Sequence, residues 1–133
     1  MIRLNTKRLC PVFAVLLALT VSTANASPAS QTLLQEYQAA GAGPFSAAAG
    51  QQLWTQKVDD NSCSSCHSTS AREGGKHNRT GKPIKPMAPS ANPKSLTDRA
   101  KIEKWFLRNC RGTFGRECTA QEKGDLLSWL AQQ

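Results

Sequence analysis

Apolar residues recur at helical spacing in four stretches of the chain, with a long polar stretch between the second and the third. In "TLLQEYQAAGAG", Leu33, Leu34 and Tyr37 share one side of a helix that stops at Gly41, after a loose lead-in over residues 27–31. "FSAAAGQQLWTQKV" predicts a second helix, with Ala49, Gly50, Leu53, Trp54 and Val58 on one face. In "TDRAKIEKWFLRN" Ile102, Trp105, Phe106 and Asn109 fall at i, i+3, i+4 and i+7. That helix is expected to end about Asn109, with Cys110 and Cys118 bracketing a glycine-containing loop. "TAQEKGDLLSWLAQQ" opens on Thr119 and Glu122, a capping-box pair, and carries Leu126, Leu127, Trp129 and Leu130.

Residues 68–95 break the pattern. They are polar and basic, hold Pro83, Pro86, Pro89 and Pro93, and predict little regular structure. A stretch of that length inside a small domain is usually functional or wrapped around something. No strand signal, repeat or low-complexity tract stands out. The prediction is an all-α fold whose own core is small, and which a bulky apolar cofactor would help fill.

The N-terminus adds a destination. Arg3, Lys7 and Arg8 precede an apolar run from Val12 to Val21 and then Ala24-Asn25-Ala26. Basic, apolar, small is the order of a secretory signal with an Ala-x-Ala cleavage site. The run falls well short of the ~20 residues that span a bilayer. Residues 1–26 are therefore expected to be a signal peptide, with Cys10 leaving alongside it, and 27–133 one exported, periplasmic domain without a spanning segment. Of the 17 Lys and Arg, 14 lie beyond the cut and meet 9 acidic residues, for a net +5. They are dispersed and little interleaved with aromatics, which argues against a nucleic-acid surface and for a moderately cationic one able to meet an acidic partner.

Export also sets the redox setting: four cysteines remain where disulfides persist, so two disulfides are the plain expectation. Cys63-Ser64-Ser65-Cys66-His67 offers another use. C-x-x-C-H is the attachment pattern of c-type haem, with two thioether cysteines and the following histidine as proximal iron ligand. A thioredoxin-like pair normally sits near a βαβ pattern, absent here. A zinc site would need two further ligands, and the spacing of Cys110 and Cys118 suits that poorly. A helix, C-x-x-C-H, an irregular loop and a terminal helix resemble a class I cytochrome c. That resemblance implies a close crossing of the flanking helices, with Gly50 and Gly124 as small residues there and Trp54, Leu127 and Leu130 around them.

Three residues compete for the far side of the iron. Met87 would give the familiar His/Met electron-transfer haem. It comes only 20 residues after His67, early for this class, and packing against the haem edge is its other use. His77 sits among Lys76, Arg79 and glycines, facing solvent or a propionate. Asn109 comes 42 residues after His67, on the apolar face of Ile102, Trp105 and Phe106, where a polar amide needs a partner. It is either an iron ligand or a helix C-cap. Trp105, on the same face, joins the candidate haem contacts.

"CSSCH", "TGKPIKPMAPSANP", "TDRAKIEKWFLRNC" and "GRECTAQEKGDLLSWL" together resemble the SHP class of high-spin cytochromes c, over nearly all the chain beyond about residue 45. The resemblance implies one haem c on Cys63 and Cys66, His67 and Asn109 as axial ligands, and a Cys110–Cys118 disulfide beside the haem. It implies an asparagine that moves away on reduction, so that a small diatomic ligand such as O2 or NO can bind. It implies electrons from a dihaem cytochrome c fed by a membrane cytochrome b. An amide oxygen is a hard, weak donor that suits Fe(III) better than Fe(II), which agrees. The competing functions are a simple electron carrier with Met87 or His77 as permanent ligand, and a peroxidase- or nitric-oxide-consuming enzyme. No acid–base pair beside the iron supports the latter; His77 is the one histidine outside the motif.

Overall fold

A computed structural model describes residues 26–133, so the basic–apolar leader lies outside the described residues. The first helix, α1 (Pro28–Ala39), begins earlier than expected. Residues 27–31 are its first turn, not a loose lead-in. Ser27 is the N-cap, its Oγ accepting from Ser30 N at 3.1 Å, and Pro28 suits a position whose N–H would be unsatisfied anyway. The hydroxyls of Ser27 and Ser30 also donate to Leu96 O, fastening the start of α1 to the segment ahead of the fourth helix.

The second helix, α2 (Ala47–Thr55), is capped by Ser46 and ends before Val58, which pairs with Asn61 in an isolated bridge instead of extending the helical face. It crosses the last helix, α5 (Ala120–Leu130), at very short range. A Cβ on Gly50 would stand 2.1 Å from Asp125 O and 2.9 Å from Trp129 Cβ, so only glycine permits the approach. Gly124 serves the same crossing differently: its bare Cα makes room for the Phe45 ring just ahead of α2. The α5 N-terminus carries the expected capping box, with Glu122 N donating to Thr119 Oγ1 (3.2 Å) and Thr119 N to Glu122 Oε2 (2.8 Å). Buried Asp125 accepts at Oδ1 from both Ser46 N (2.7 Å) and Gln121 Nε2 (3.0 Å) inside the crossing.

Two apolar clusters flank α5. One holds Trp54, Ala71, Ala88, Leu126, Trp129 and Leu130; the other holds Leu33, Tyr37, Ile102 and Leu127. Between α2 and the fourth helix the chain is irregular, as its prolines dictate. It still forms a small hairpin that no sequence signal announced: β1 (Gly75–Lys76) pairs antiparallel with β2 (Pro83–Ile84). Further along, Met87 N and Ala88 N both donate to Ala71 O (2.9 and 2.8 Å), and Ser95 Oγ donates to Met87 O at 2.6 Å. The loop is thereby fixed without helix or sheet.

The fourth helix, α4 (Arg99–Phe114), starts at the Asp98 cap and ends at left-handed Gly115 (φ +69°). It does not stop at Asn109, so the C-cap role for that residue is overturned. Residues 111–114, expected in a loop, form its last turn. No helix among the described residues is long and apolar enough to cross a membrane.

Candidate functional site

The C-x-x-C-H motif folds as a short helix, α3 (Cys63–His67), because serines cap it. Ser65 N donates to Ser62 Oγ at 3.1 Å and Ser62 N to Ser65 Oγ at 3.0 Å. Helical geometry then sets Cys63 and Cys66 one turn apart on one side, with His67 one turn beyond Cys63. Ser68, at positive φ (+70°) with an extended ψ, ends the helix and turns the chain.

His67 is held from behind by Trp54. The two ring centroids are 5.4 Å apart at 41°, and Trp54 Nε1 donates to Ser68 O at 2.9 Å, so the indole packs on the imidazole and grips its neighbour's carbonyl. Trp129 packs on the other side of Trp54, 5.1 Å between centroids. His67 Nδ1 is buried and has no hydrogen-bond partner among the described residues. Burial lowers the imidazole's proton affinity below the ordinary histidine value, leaving it neutral at pH 7, the form that binds a metal. Cys63 and Cys66 are free thiols, and burial pushes the Cys63 thiol up to about 11. A dithiol oxidoreductase does the opposite, depressing its reactive thiol. Two free thiols one helical turn apart and a neutral imidazole with an orphaned buried nitrogen make poor sense as a protein-only cluster and fit a covalently held haem.

The comparisons with known proteins agree. A family model described as "Domain of unknown function (DUF1924)" matches residues 40–130. The cytochrome c-type protein SHP of Cereibacter sphaeroides is 43% identical over 127 residues, covering 92% of this chain and 96% of that one. The chain belongs to the SHP class of c-type cytochromes. The solved structure of oxidised SHP, described as an oxygen-binding cytochrome c, matches at a TM-score of 0.72 and 44% identity, covering 78% of this chain and 96% of that one. The solution structure of cytochrome c'' from Methylophilus methylotrophus, reported with the structural basis of haem-ligand detachment, matches at 0.67 and 30% identity, covering 78% and 93%. Like these all-α cytochromes, the SHP-class chain carries one covalently bound haem c.

The structure treats the three sixth-ligand candidates differently. His77 belongs to the hairpin turn: its Nδ1 accepts from Thr80 N at 3.2 Å, and the neighbouring Asn78 N lies 3.4 Å from Cys66 Sγ. That sets it beside the attachment helix. Met87 is partly buried against the Trp54 cluster together with Cys63 and Phe106. Asn109 lies one turn after Phe106 on α4 and is half-buried. Its side-chain amide makes no hydrogen bond among the described residues. Trp105 borders the same face and is 50% exposed, a large apolar ring left uncovered by protein. Next to Asn109, Cys110 is bonded to Cys118, both buried, which ties the end of α4 to the start of α5.

Sequence reasoning missed two supports of the motif. Trp54 was recognised as a core residue only, because nothing in a linear pattern shows that its ring backs His67. Gly75 drew no notice. A Cβ there would stand 1.9 Å from Cys66 O and 2.8 Å from His67 Cα, so the hairpin rests directly on the attachment helix. The Gly74-Gly75 pair was the available signal.

Proposed function

We propose that this SHP-class cytochrome is exported, accepts an electron, and binds a small diatomic ligand, O2 or NO, once Asn109 has withdrawn from the reduced iron. Held by the chain, the haem would supply a one-electron couple and an iron able to take up a small ligand. Cys63 and Cys66 tether it through thioethers. His67, neutral and backed by Trp54, holds the proximal side. Asn109 offers its amide oxygen on the other side, a donor that favours the ferric state, and withdraws when reduction weakens that preference. Phe106 and Trp105, three and four positions before it on α4, give its helix face apolar surface. Cleavage after Ala26 makes Ser27 the first residue of the mature domain; since Ser27 caps α1, the cut removes only an exposed bond from Gln31 Nε2 to Ala26 O (2.9 Å). The donor this proposal takes from the family is a dihaem cytochrome c fed by a membrane cytochrome b, in the periplasm.

The carrying observation is the unpartnered, half-buried amide of Asn109 in the interior of α4, beside Phe106 and next to the disulfide. Oxygen binding by SHP and ligand detachment in cytochrome c'' support it. The test is the absorption spectrum of ferric and ferrous holoprotein, with and without carbon monoxide, in wild type and two variants. Asn109→Ala should open the ferric protein to cyanide and change ferrous carbon monoxide binding little. Met87→Leu should leave the ferric ligand field nearly intact. If Met87→Leu abolishes a low-spin signal and Asn109→Ala does nothing, the protein is a conventional electron carrier.

A further inference from the structure

The dispersed basic residues conceal a sharp imbalance. Arg72, Lys76, Arg79, Lys82, Lys85 and Lys94 face one acidic residue, Glu73, between positions 72 and 94. That segment is +5, and the remainder of the domain beyond Ala26 balances to zero, with eight basic and eight acidic residues. Elsewhere five of the eight cations are held in ion pairs: Arg99–Glu36, Lys101–Asp98, Arg111–Glu117, Arg116–Glu122 and Lys123–Glu103. None of the six in the segment forms an ion pair among the described residues, and all six are exposed. Glu73 is engaged by Ser68 Oγ at 3.0 Å.

The fold gives this charge a location. The hairpin that carries three of the six cations, Lys76, Arg79 and Lys82, sits on the attachment helix, with Gly75 against Cys66 O and Asn78 N against Cys66 Sγ. Between hairpin and helix lies an open recess of about 560 Å³, lined by Ser64, Ser65, Ser68, Lys76, His77 and Asn78. Hydroxyls, an amide and the unpaired Lys76 around a concavity suit carboxylates.

We propose that residues 72–94 form the docking face for an acidic protein electron donor, which approaches the haem on the Cys66 side. The proposal rests on the electron-accepting role above and not on Asn109 detaching. A membrane surface is the less suited occupant, because basic membrane-binding faces carry apolar side chains to insert, and the exposed large apolar residues, Trp105 and Leu107, belong to α4. A single-stranded nucleic acid would want stacking aromatics, and residues 72–94 contain none.

The probe is a reduced plant-type ferredoxin, an acidic two-iron protein; it loses one electron, the ferric haem gains one, and no atom or proton need move. Carbodiimide cross-linking of the two holoproteins should form amides at Lys76, Lys82 and Lys85. Stopped-flow reduction should slow as salt rises. At low salt Lys76→Glu/Lys82→Glu should slow it by about tenfold, and Lys57→Glu/Lys104→Glu, the same charge change elsewhere, by less than about twofold. Equal losses in the two variants, cross-links outside residues 72–94, or sedimentation with phosphatidylglycerol vesicles without any salt-dependent reduction by ferredoxin would each overturn it. Lumiflavin semiquinone, uncharged at neutral pH, should reduce all three proteins alike. Its failure with wild type would count against the electron-accepting role instead, and the cross-link map would still decide the docking face.

Discussion

Removing the Cys110–Cys118 bridge should cost stability and loosen Asn109 at once. The two cysteines are eight positions apart, and closing so short a loop lowers the entropy of the unfolded chain by an amount worth about 2–3 kcal/mol at 25 °C. Little else would take its place. Past Phe114 the segment is held by the Gly115 turn and by two exposed ion pairs, Arg111–Glu117 and Arg116–Glu122, each worth at most ~1 kcal/mol. Three forms of the holoprotein separate the effects: oxidised wild type, wild type treated with a phosphine reductant, and Cys110→Ala/Cys118→Ala. Reduction removes the cross-link without changing core volume; the double variant adds the loss of two buried sulfurs. Guanidinium titrations should place both altered forms about 2–3 kcal/mol below the oxidised protein, the double variant lowest, with Tm lower by roughly 10–15 °C. Ferric cyanide affinity should rise several-fold in both, since the residue beside Asn109 is no longer anchored to α5. A loss of stability with unchanged cyanide affinity would show that the bridge only stabilises and does not position the asparagine. A loss under ~0.5 kcal/mol would refute the entropy estimate as well.

Three further outcomes follow from contacts already described. Gly50→Ala drives a methyl to 2.1 Å from Asp125 O, so α2 and α5 must part; a loss of about 3 kcal/mol is expected in denaturant titrations. Gly75→Ala pushes on Cys66 O at 1.9 Å and should lower the yield of haem-bearing protein, read by haem staining, whereas Gly112→Ala, with nothing within 4 Å, should not. Glu122 is held at about 2 by the hydrogen bond from Arg116, then by its own contacts with Thr119, against an ordinary 4.5. Its folded value is depressed, so its stabilisation is complete above 4.5 and disappears as pH falls toward 2; Glu122→Gln should flatten the stability–pH curve in that window by about 1 kcal/mol after solvent screening.

What was legible in the sequence follows from range. The Thr119–Glu122 box and the α5 leucines are local, and they stand where spacing put them; that the C-x-x-C-H motif is itself a short helix came only with the structure. Ser27-Pro28 is equally local: it lies in the stretch read as a loose lead-in, yet serine followed by proline is a helix-start signal. The end of α4 misled because Gly112 normally weakens a helix. Here Gly115 supplies the left-handed stop and the disulfide binds the last turn. Long-range facts stayed hidden: the Trp54–His67 contact, Gly75 beneath Cys66, and Asp125 serving Ser46 N all join residues through the fold. The charge was countable throughout; its concentration mattered only once the hairpin was seen against the attachment helix.

The crossing of α2 and α5 also bears on time. Gly50 and Asp125, which touch there, are 75 positions apart, so their meeting closes most of the domain into one loop. Contacts of such separation form late, because their entropy must be met before any packing offsets it. Until then the chain is open and Cys63 is in water. Once the crossing closes, Cys63 is part of the wall and its thiol is held protonated. A change that hastens the crossing is therefore expected to shorten the time in which Cys63 stands open to the haem.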